Sequence, residues 1–291
     1  MRARKLVFVL LALAPVWTLA ILAVLGRTFV TAAHIDEYGG DVNRRILAYK
    51  ELVKLDQEVS VDLRYGDTQT ARRVSAVWLS KARAGLLHDV PPASASDDGL
   101  YGVRAEIEEA RRNCVHGLMR ASNKELDAGN TELAAKLLID ALEILDVGKY
   151  SSPHVVALST QLQNSVLNRL DLMAPQLSEV TTSLLKSALQ ATAPDRIRLD
   201  RLQSRTRSLV MMMSPEIYRS PAVKNRAQKV LASMPNTMSY QEMGEHVNSA
   251  IALDTLAVVE DLEQQWSTRI EDTVNRLSWR PLVAANHYPA H

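Results

Sequence analysis

The chain has 291 residues, of which 47% are hydrophobic, and its 34 basic side chains are nearly balanced by 33 acidic ones. This composition is typical of a folded protein with a buried core and excludes a disordered acidic or basic tail. The chain contains 11 glycines and a single cysteine, Cys114. It therefore offers little material for tight hairpins or phosphate loops and cannot form an intrachain disulfide or a multi-thiolate metal site. A mostly helical fold is the simplest expectation.

The N-terminal residues have the pattern of a membrane anchor. Residues 1–5 carry three basic side chains, and residues 6–26 form an uncharged, apolar run. A helix over this run is about 30 Å long, which matches the hydrocarbon core of a bilayer. The basic residues predict that the start, 1–5, stays in the cytoplasm and that the rest of the chain is exported.

Two other interpretations of this run remain open. The run could be a cleavable signal peptide, because small residues ending at Ala32 offer a cleavage site and Pro15 interrupts the apolar stretch. The run could also be a buried core helix. We expect a single-pass protein of an inner (cytoplasmic) membrane with its bulk in the periplasm or outside, or else a protein secreted after cleavage near Ala32.

The exported part begins with a predicted helical hairpin over residues 27–90. Its turn and helix cap fall at residues 65–68, Tyr-Gly-Asp-Thr, between two stretches with apolar residues at helical spacing. Residues 91–99 contain two prolines and small polar residues. They predict a linker, and we place a subdomain boundary there.

Residues 100–278 predict a helical domain. Helices over 100–128 and 131–146 meet at Gly129, and serine–proline and proline signals delimit further helices over 153–174, 176–192 and 195–213. Ser239 and Glu242 have capping-box spacing and open a long C-terminal helix that ends near Leu277, followed by an irregular tail over 279–291. The predicted fold class is all-α: a single N-terminal transmembrane helix followed by an exported multi-helix bundle or helical-hairpin array.

One hairpin, about residues 114–147, resembles a tetratricopeptide repeat. The residues that carry the resemblance are Gly129, Ala134, Leu138 and Ala141, preceded by Leu118, Ala121 and Ser122. Small residues at such positions allow two helices to pack closely. Glu125 stands where the family usually has an aromatic residue, and a second copy is not found at that period. The resemblance implies a groove or stacking surface for protein partners and no chemistry; the alternative is an ordinary alanine-packed hairpin.

The sequence lacks the usual motifs of catalytic, phosphate-binding or metal sites. Glu242 and His246 share a helix face and could supply two metal ligands, but an exposed helix pair is the favoured interpretation. Cys114 and His116 point in different directions on a helix, which argues against a nucleophile–base pair. We expect no enzyme activity, catalytic residue, cofactor or metal; an envelope hydrolase or lipid-acting enzyme is the remaining enzymatic alternative.

Residues 211–213 are three consecutive methionines. Three neighbours cannot share one helix face, so core filling near a helix end is the favoured interpretation. An adaptable partner surface and a copper(I) site are the alternatives.

The charges are unevenly distributed near the C-terminus. Residues 195–229 carry nine basic and three acidic side chains, and residues 239–275 carry eight acidic side chains and one arginine. Opposite charges predict that the two segments pack as an antiparallel, mutually neutralising pair. The alternative is that the basic segment faces an acidic partner, an anionic lipid surface or a cell-wall polymer. The predicted location outside the cytoplasm and the scarcity of aromatic side chains exclude nucleic acid as a partner.

We therefore expect a non-enzymatic, single-pass membrane-anchored scaffold, adaptor or structural subunit of an envelope complex. Residues 6–26 would contact the lipid bilayer, and the exported domain would bind protein partners, including other copies of the chain. The candidate partner-binding residues are Arg198, Arg201, Arg205, Glu260, Asp261, Glu263 and Trp266. The alternative function is a membrane-proximal helical sensor or ligand-binding domain that acts with a separate signalling partner.

Overall fold

The computed structural model describes residues 44–87, 98–219, 232 and 239–285, and all regular secondary structure in these ranges is helical. The predicted all-α class is confirmed for this part of the chain. The chain divides into two compact units, residues 1–48 and 49–291, and the packing described below belongs to the second. None of the described helices is long and apolar enough to cross a membrane. The predicted cytoplasmic start (1–5), anchor (6–26) and cleavage site (Ala32) lie outside the described residues.

The first described element is a helical hairpin. Helix α1 is described over residues 44–64, and α2 covers Thr68–Arg83. Asp67 caps α2 by accepting a hydrogen bond of 2.7 Å from the backbone N–H of Thr70. Gly66 supplies the positive φ, 65°, that the turn between the helices requires. The predicted turn and cap at 65–68 are confirmed.

The second hairpin joins α3 (Asp98–Asp127) and α4 (Thr131–Asp146). Its turn uses Gly129 with φ 81°, as the sequence predicts. Ala134 and Ala141 are fully buried, and the Ser122 hydroxyl donates to the carbonyl of Ala134 over 3.0 Å, so the helices approach closely. Helix α3 already begins at Asp98, and the rest of the predicted linker over 91–97 lies outside the described residues.

The two hairpins stack on one another. Helix α2 packs against both α3 and α4, and α4 packs in turn against the next two helices. The contact between α1 and α3 is close at Gly117, where an added Cβ would lie 2.7 Å from Cδ2 of Leu63. The described helices therefore form a hairpin array at this end, in agreement with the predicted architecture.

Four helices follow the second hairpin: α5 (Pro153–Met173), α6 (Glu179–Ala191), α7 (Arg196–Met213) and the short α8 (Pro215–Arg219). Two 3₁₀ turns, Lys149–Ser151 and Ala174–Gln176, precede and follow α5. The side chains of Ser152, Ser178 and Asp195 cap α5, α6 and α7 at their N-termini. These helices lie close to the predicted ranges because their capping residues are explicit in the sequence.

The last helix, α9, covers Tyr240–Ala285. Ser239 and Glu242 form the predicted capping box: the Ser239 N–H donates to Glu242 over 3.0 Å, and the Glu242 N–H donates to the Ser239 hydroxyl over 3.3 Å. The helix continues through 279–285, where the sequence predicted an irregular tail. A proline in a helix interior costs about 3 kcal/mol, and the helix continues through Pro281 despite this cost.

Candidate interaction site

The basic α7 and the acidic α9 pack side by side, as the charge pattern predicts. Leu199 and Leu202, early in α7, cluster with Val259, whereas Val210, late in α7, clusters with Ala250. The two helices are therefore antiparallel. Apolar contacts carry much of this pairing, because a long apolar surface is removed from water between them.

Hydrogen bonds also set the position of α9 against its neighbours. Gln203 of α7 donates to Glu260 over 2.6 Å. On the other side, Arg269 donates to Asn164 of α5 over 3.1 Å, and Arg276 bonds Asp171 further along both helices. Helix α9 therefore runs parallel to α5 and antiparallel to α7.

Two of the seven candidate partner-binding residues lie in the interior. Glu263 is 2% exposed and Trp266 is 0% exposed. The Trp266 indole N–H donates to the carbonyl of Thr192 over 3.0 Å, which fixes α9 against the end of α6. These two side chains hold the domain together and do not face a partner in this structure.

Two more of the candidates are engaged with neighbouring backbone or side chains. Arg198 pairs with Asp195, the cap of its own helix, at 3.2 Å. Arg205 donates to the carbonyls of Tyr150 and Ser151 at 3.2 and 2.7 Å. Arg205 therefore helps to fix α7 against the 3₁₀ turn before α5, whereas the Arg198 pair lies within α7 and its cap.

The other three candidates, Arg201, Glu260 and Asp261, are exposed. Glu260 accepts the bond from Gln203 described above, whereas Arg201 and Asp261 project from α7 and α9. A partner at this side of the domain can reach these three side chains, so they remain in the predicted contact set.

Glu263 is the centre of a buried polar network that no pattern in the sequence indicates. Its carboxylate pairs with Lys149 at 2.7 Å and accepts from the Tyr150 hydroxyl at 2.6 Å and from the Thr160 hydroxyl at 2.8 Å. Lys149, with no exposed surface, also donates to Gln163 over 3.0 Å. A buried charge pair of this kind is tolerated only when hydrogen bonds satisfy both ions.

The network perturbs the titration of its neighbours. Burial and the Glu263 carboxylate raise the pKa of Tyr150. The phenol therefore stays protonated and donates a hydrogen bond to Glu263. Burial raises the pKa of Asp146 to about 6, although the charges of Lys149 and Arg198 oppose the shift. Lys149, Tyr150 and Glu263 lie in the interior and serve the packing of α9 against the corner between α4 and α5.

A second buried cation, Arg111 of α3, caps the C-terminus of α4. Its guanidinium donates to the carbonyls of Leu145 and Val147 at 3.0 Å each and to the Ser159 hydroxyl at 3.0 Å, and it pairs with Glu108 at 2.6 Å. These carbonyls have no partner within the helix, so the arginine satisfies them. No periodicity or motif distinguishes Arg111 from the exposed arginines of α3.

Exposed apolar side chains cover the end of α7 and the start of α8. Met211 and Met212 are 52% and 73% exposed, and Leu209 and Tyr218 are also exposed. Met211 and Tyr218 line a shallow groove with polar residues of α7: Asp200, Gln203, Ser204, Arg207 and Ser208. We call Met211, Met212 and Tyr218 the methionine surface. Met211 and Met212 do not fill the core, so the predicted core role is wrong for these two residues.

A basic cluster lies on another part of the domain. Arg112, His116 and Arg120 follow one another at intervals of four residues on α3, and Arg169 of α5 donates to Asn123 of α3 over 2.8 Å. His116 is exposed, but partial burial of its ring lowers its pKa, and the positive charges of Arg120, Arg112 and Arg169 lower it further. We call Arg112, His116, Arg120 and Arg169 the basic face.

The reactive or metal-binding candidates Cys114, Glu242 and His246 are buried or engaged in other contacts. Cys114 is fully buried, and burial raises the pKa of its thiol, so the thiolate that would react is strongly disfavoured. Glu242 is used in the capping box, and Nδ1 of His246 lies 2.9 Å from the Ser214 hydroxyl. Within the described ranges no group of three or more His, Cys, Asp or Glu side chains is placed to hold a metal ion.

No protein-family model, curated protein or solved structure matches the chain. The class of protein is thus defined by its own geometry: an all-α domain of stacked helical hairpins, closed by a long C-terminal helix. The resemblance of residues 114–147 to a tetratricopeptide hairpin stays a local prediction.

Proposed function

We propose that the protein is a non-enzymatic scaffold or adaptor, anchored in a membrane by residues 6–26, whose exported helical domain binds protein partners. The proposed location is an inner membrane, with residues 1–5 in the cytoplasm and the domain on the other side. The anchor is supported by the basic start and the apolar run of the sequence.

The observation that supports partner binding most strongly is the methionine surface. Apolar side chains that remain 52% and 73% exposed lose contact with water only when another molecule covers them. Methionine is unbranched and polarizable, so a surface that contains it adapts to differently shaped partners. Arg201 and Arg207 on the same helix are exposed and would add charged contacts at the rim.

The buried network supports a binding role in a different way. The charged groups Lys149, Glu263 and Arg111 are engaged in internal hydrogen bonds, and the groove beside Met211 and Tyr218 is shallow. A rigid domain with fixed helices presents its exposed side chains in one geometry, which lowers the entropic cost of binding.

The test is photo-crosslinking in membranes with the full-length chain. A photoreactive residue at Met212 is compared with one at Val180 of α6, an apolar position of similar exposure, 73% against 69%. We expect a protein adduct at Met212 and a weaker one or none at Val180, identified by mass spectrometry. Adducts at Met212 confined to lipid or to other residues of the same molecule would refute the proposal.

A matched pair of substitutions refines the test. Met212→Glu places a charge on the methionine surface and should abolish the adduct formed through a photoreactive residue at Met211, whereas Val180→Glu should leave it intact. Alkaline extraction of the membranes tests the anchor separately: the chain should stay in the membrane pellet. Release of the intact chain into the supernatant would contradict the anchored arrangement.

A further inference from the structure

The basic face is a line of basic side chains in which His116 lies between two permanently charged arginines. Arg112, His116 and Arg120 lie at intervals of four residues on α3, so each follows the last by about 6 Å along the helix axis. Arg169 reaches the same side from α5, where it is held by the hydrogen bond of 2.8 Å to Asn123. The fold thus places Arg169 beside the three side chains that α3 already aligns.

These charges are not neutralised within the part of the chain that the structure describes. No ion pair there joins Arg112, Arg120 or Arg169 to a carboxylate. Arg112, Arg120 and His116 are exposed, and Arg169 is partly buried. Like charges side by side on the surface repel one another, so an anion bound across them is favoured over the empty surface.

We propose that the basic face binds a short acidic peptide segment of a protein partner. Arginine forks match the two oxygens of a carboxylate. In an extended peptide, alternate side chains repeat about every 6.6 Å, and on a helix residues four apart repeat about every 6 Å. Either arrangement places successive Asp or Glu side chains opposite Arg112, His116 and Arg120.

The neighbouring acidic groups favour a short peptide over a long polyanion. Asn113 of α3 donates to Asp56 of α1 over 3.0 Å, and the nearby Glu109 raises the pKa of that carboxyl in addition to its burial. These two carboxylates border the basic face on the side of α1. A nucleic acid or an anionic membrane extending beyond the arginines would meet negative charge there, whereas a short segment ends before it.

The test measures binding of a fluorescently labelled peptide, in which glutamate alternates with serine, to the full-length chain. The matched peptide carries glutamine in place of glutamate. We expect the glutamate peptide to bind and its affinity to fall steeply with salt, and the glutamine peptide to bind at least about tenfold more weakly. Equal binding of the two peptides would overturn the inference.

Substitutions place the peptide on the basic face. Arg112→Glu with Arg120→Glu should weaken binding by roughly tenfold or more, because two attractions are replaced by repulsions. The control pair, Arg73→Glu with Arg196→Glu, makes the same change of net charge at exposed positions elsewhere and should leave binding within about twofold. Equal losses in both pairs would show a diffuse charge effect and refute the site.

A second pair of variants and a competition experiment complete the test. If the reversed pair does not fold, Arg112→Gln with Arg120→Gln gives the same comparison. Inorganic tripolyphosphate and a single-stranded oligonucleotide compete against the labelled peptide; displacement by either at a lower concentration than the unlabelled peptide would refute an acidic peptide as the ligand. The basic face lies on α3 and α5, whereas the methionine surface lies on α7 and α8. Failure of the acidic peptide to bind would therefore not affect the interpretation of crosslinking at Met212.

Discussion

Removing the charge of Glu263 should destabilise the domain more than any exposed acidic substitution on α9. Glu263→Gln keeps the shape of the side chain, and its carbonyl oxygen can still accept from Tyr150 or Thr160. It leaves the fully buried Lys149 cation without its carboxylate 2.7 Å away. Breaking one side of a buried pair typically costs 3–5 kcal/mol, so we expect a loss of about 3 kcal/mol.

The assay is urea unfolding of the full-length chain, followed by circular dichroism and tryptophan fluorescence. Asp261→Asn, two residues away and exposed, is the control and should change the free energy of unfolding by less than about 0.5 kcal/mol. The chain has four tryptophans, and its fluorescence includes the signals of the buried Trp78 and of Trp266, one turn beyond Glu263 on α9.

A double-mutant cycle isolates the charge pair. Lys149→Met alone should also be costly, because Glu263 then keeps its charge without the cation. The double variant, Lys149→Met with Glu263→Gln, removes both charges and should recover at least about 2 kcal/mol relative to the sum of the single variants. An effect of Glu263→Gln below about 1 kcal/mol, or strictly additive variants, would refute the reasoning that the pair is buried and coupled.

Three further predictions concern titration, backbone strain and reactivity. The native pKa of Asp146, about 6, lies above its ordinary value of 3.8, so the folded state binds more protons between these values and stability falls as pH rises through them. The free energy of unfolding of Asp146→Asn, relative to that of the wild type, should therefore be about 2 kcal/mol higher near neutral pH than at pH 4. Urea titrations that give the same difference between variant and wild type at both pH values would contradict this. At Gly66, φ is 65° and an added Cβ would lie 2.9 Å from Cβ of Arg120, whereas Gly129 has φ 81° and open space around it. Alanine should thus cost roughly 2–3 kcal/mol at Gly66 and about 1 kcal/mol at Gly129, and equal losses of melting temperature would count against the close contact. Cys114 should react with a thiol-specific dye only when the chain is unfolded in urea; rapid labelling of the native protein would show that the thiol is not buried.

Much of the helical layout can be read from local signals. The caps at Asp67, Ser152 and Ser239 and the turn at Gly129 act within a few residues of their own helices, so their positions follow from the sequence alone. The opposite charges of α7 and α9 also correctly indicate that the two helices are neighbours. Such inferences succeed because they depend on contacts between residues close in sequence or on the summed charge of whole segments.

The site depends on contacts that the sequence does not reveal. Glu263 and Asp261 look alike in the sequence, yet one is buried beside Lys149, more than one hundred residues earlier, and the other is exposed. Helical spacing shows that Arg112 and Arg120 share one side of α3, but only the fold brings Arg169 beside them. Tertiary packing decides which charged residues become internal and which stay available to a partner.

The bonds around Glu263 fix the axial register of α9. Sliding the helix by one residue along α5 would bring Leu262 or Gln264 toward Lys149, Tyr150 and Thr160, and three polar groups would lose their shared carboxylate at once. Intermediate positions are therefore strongly disfavoured. A displacement of α9 along α5 consequently requires the three contacts of Glu263 to break together.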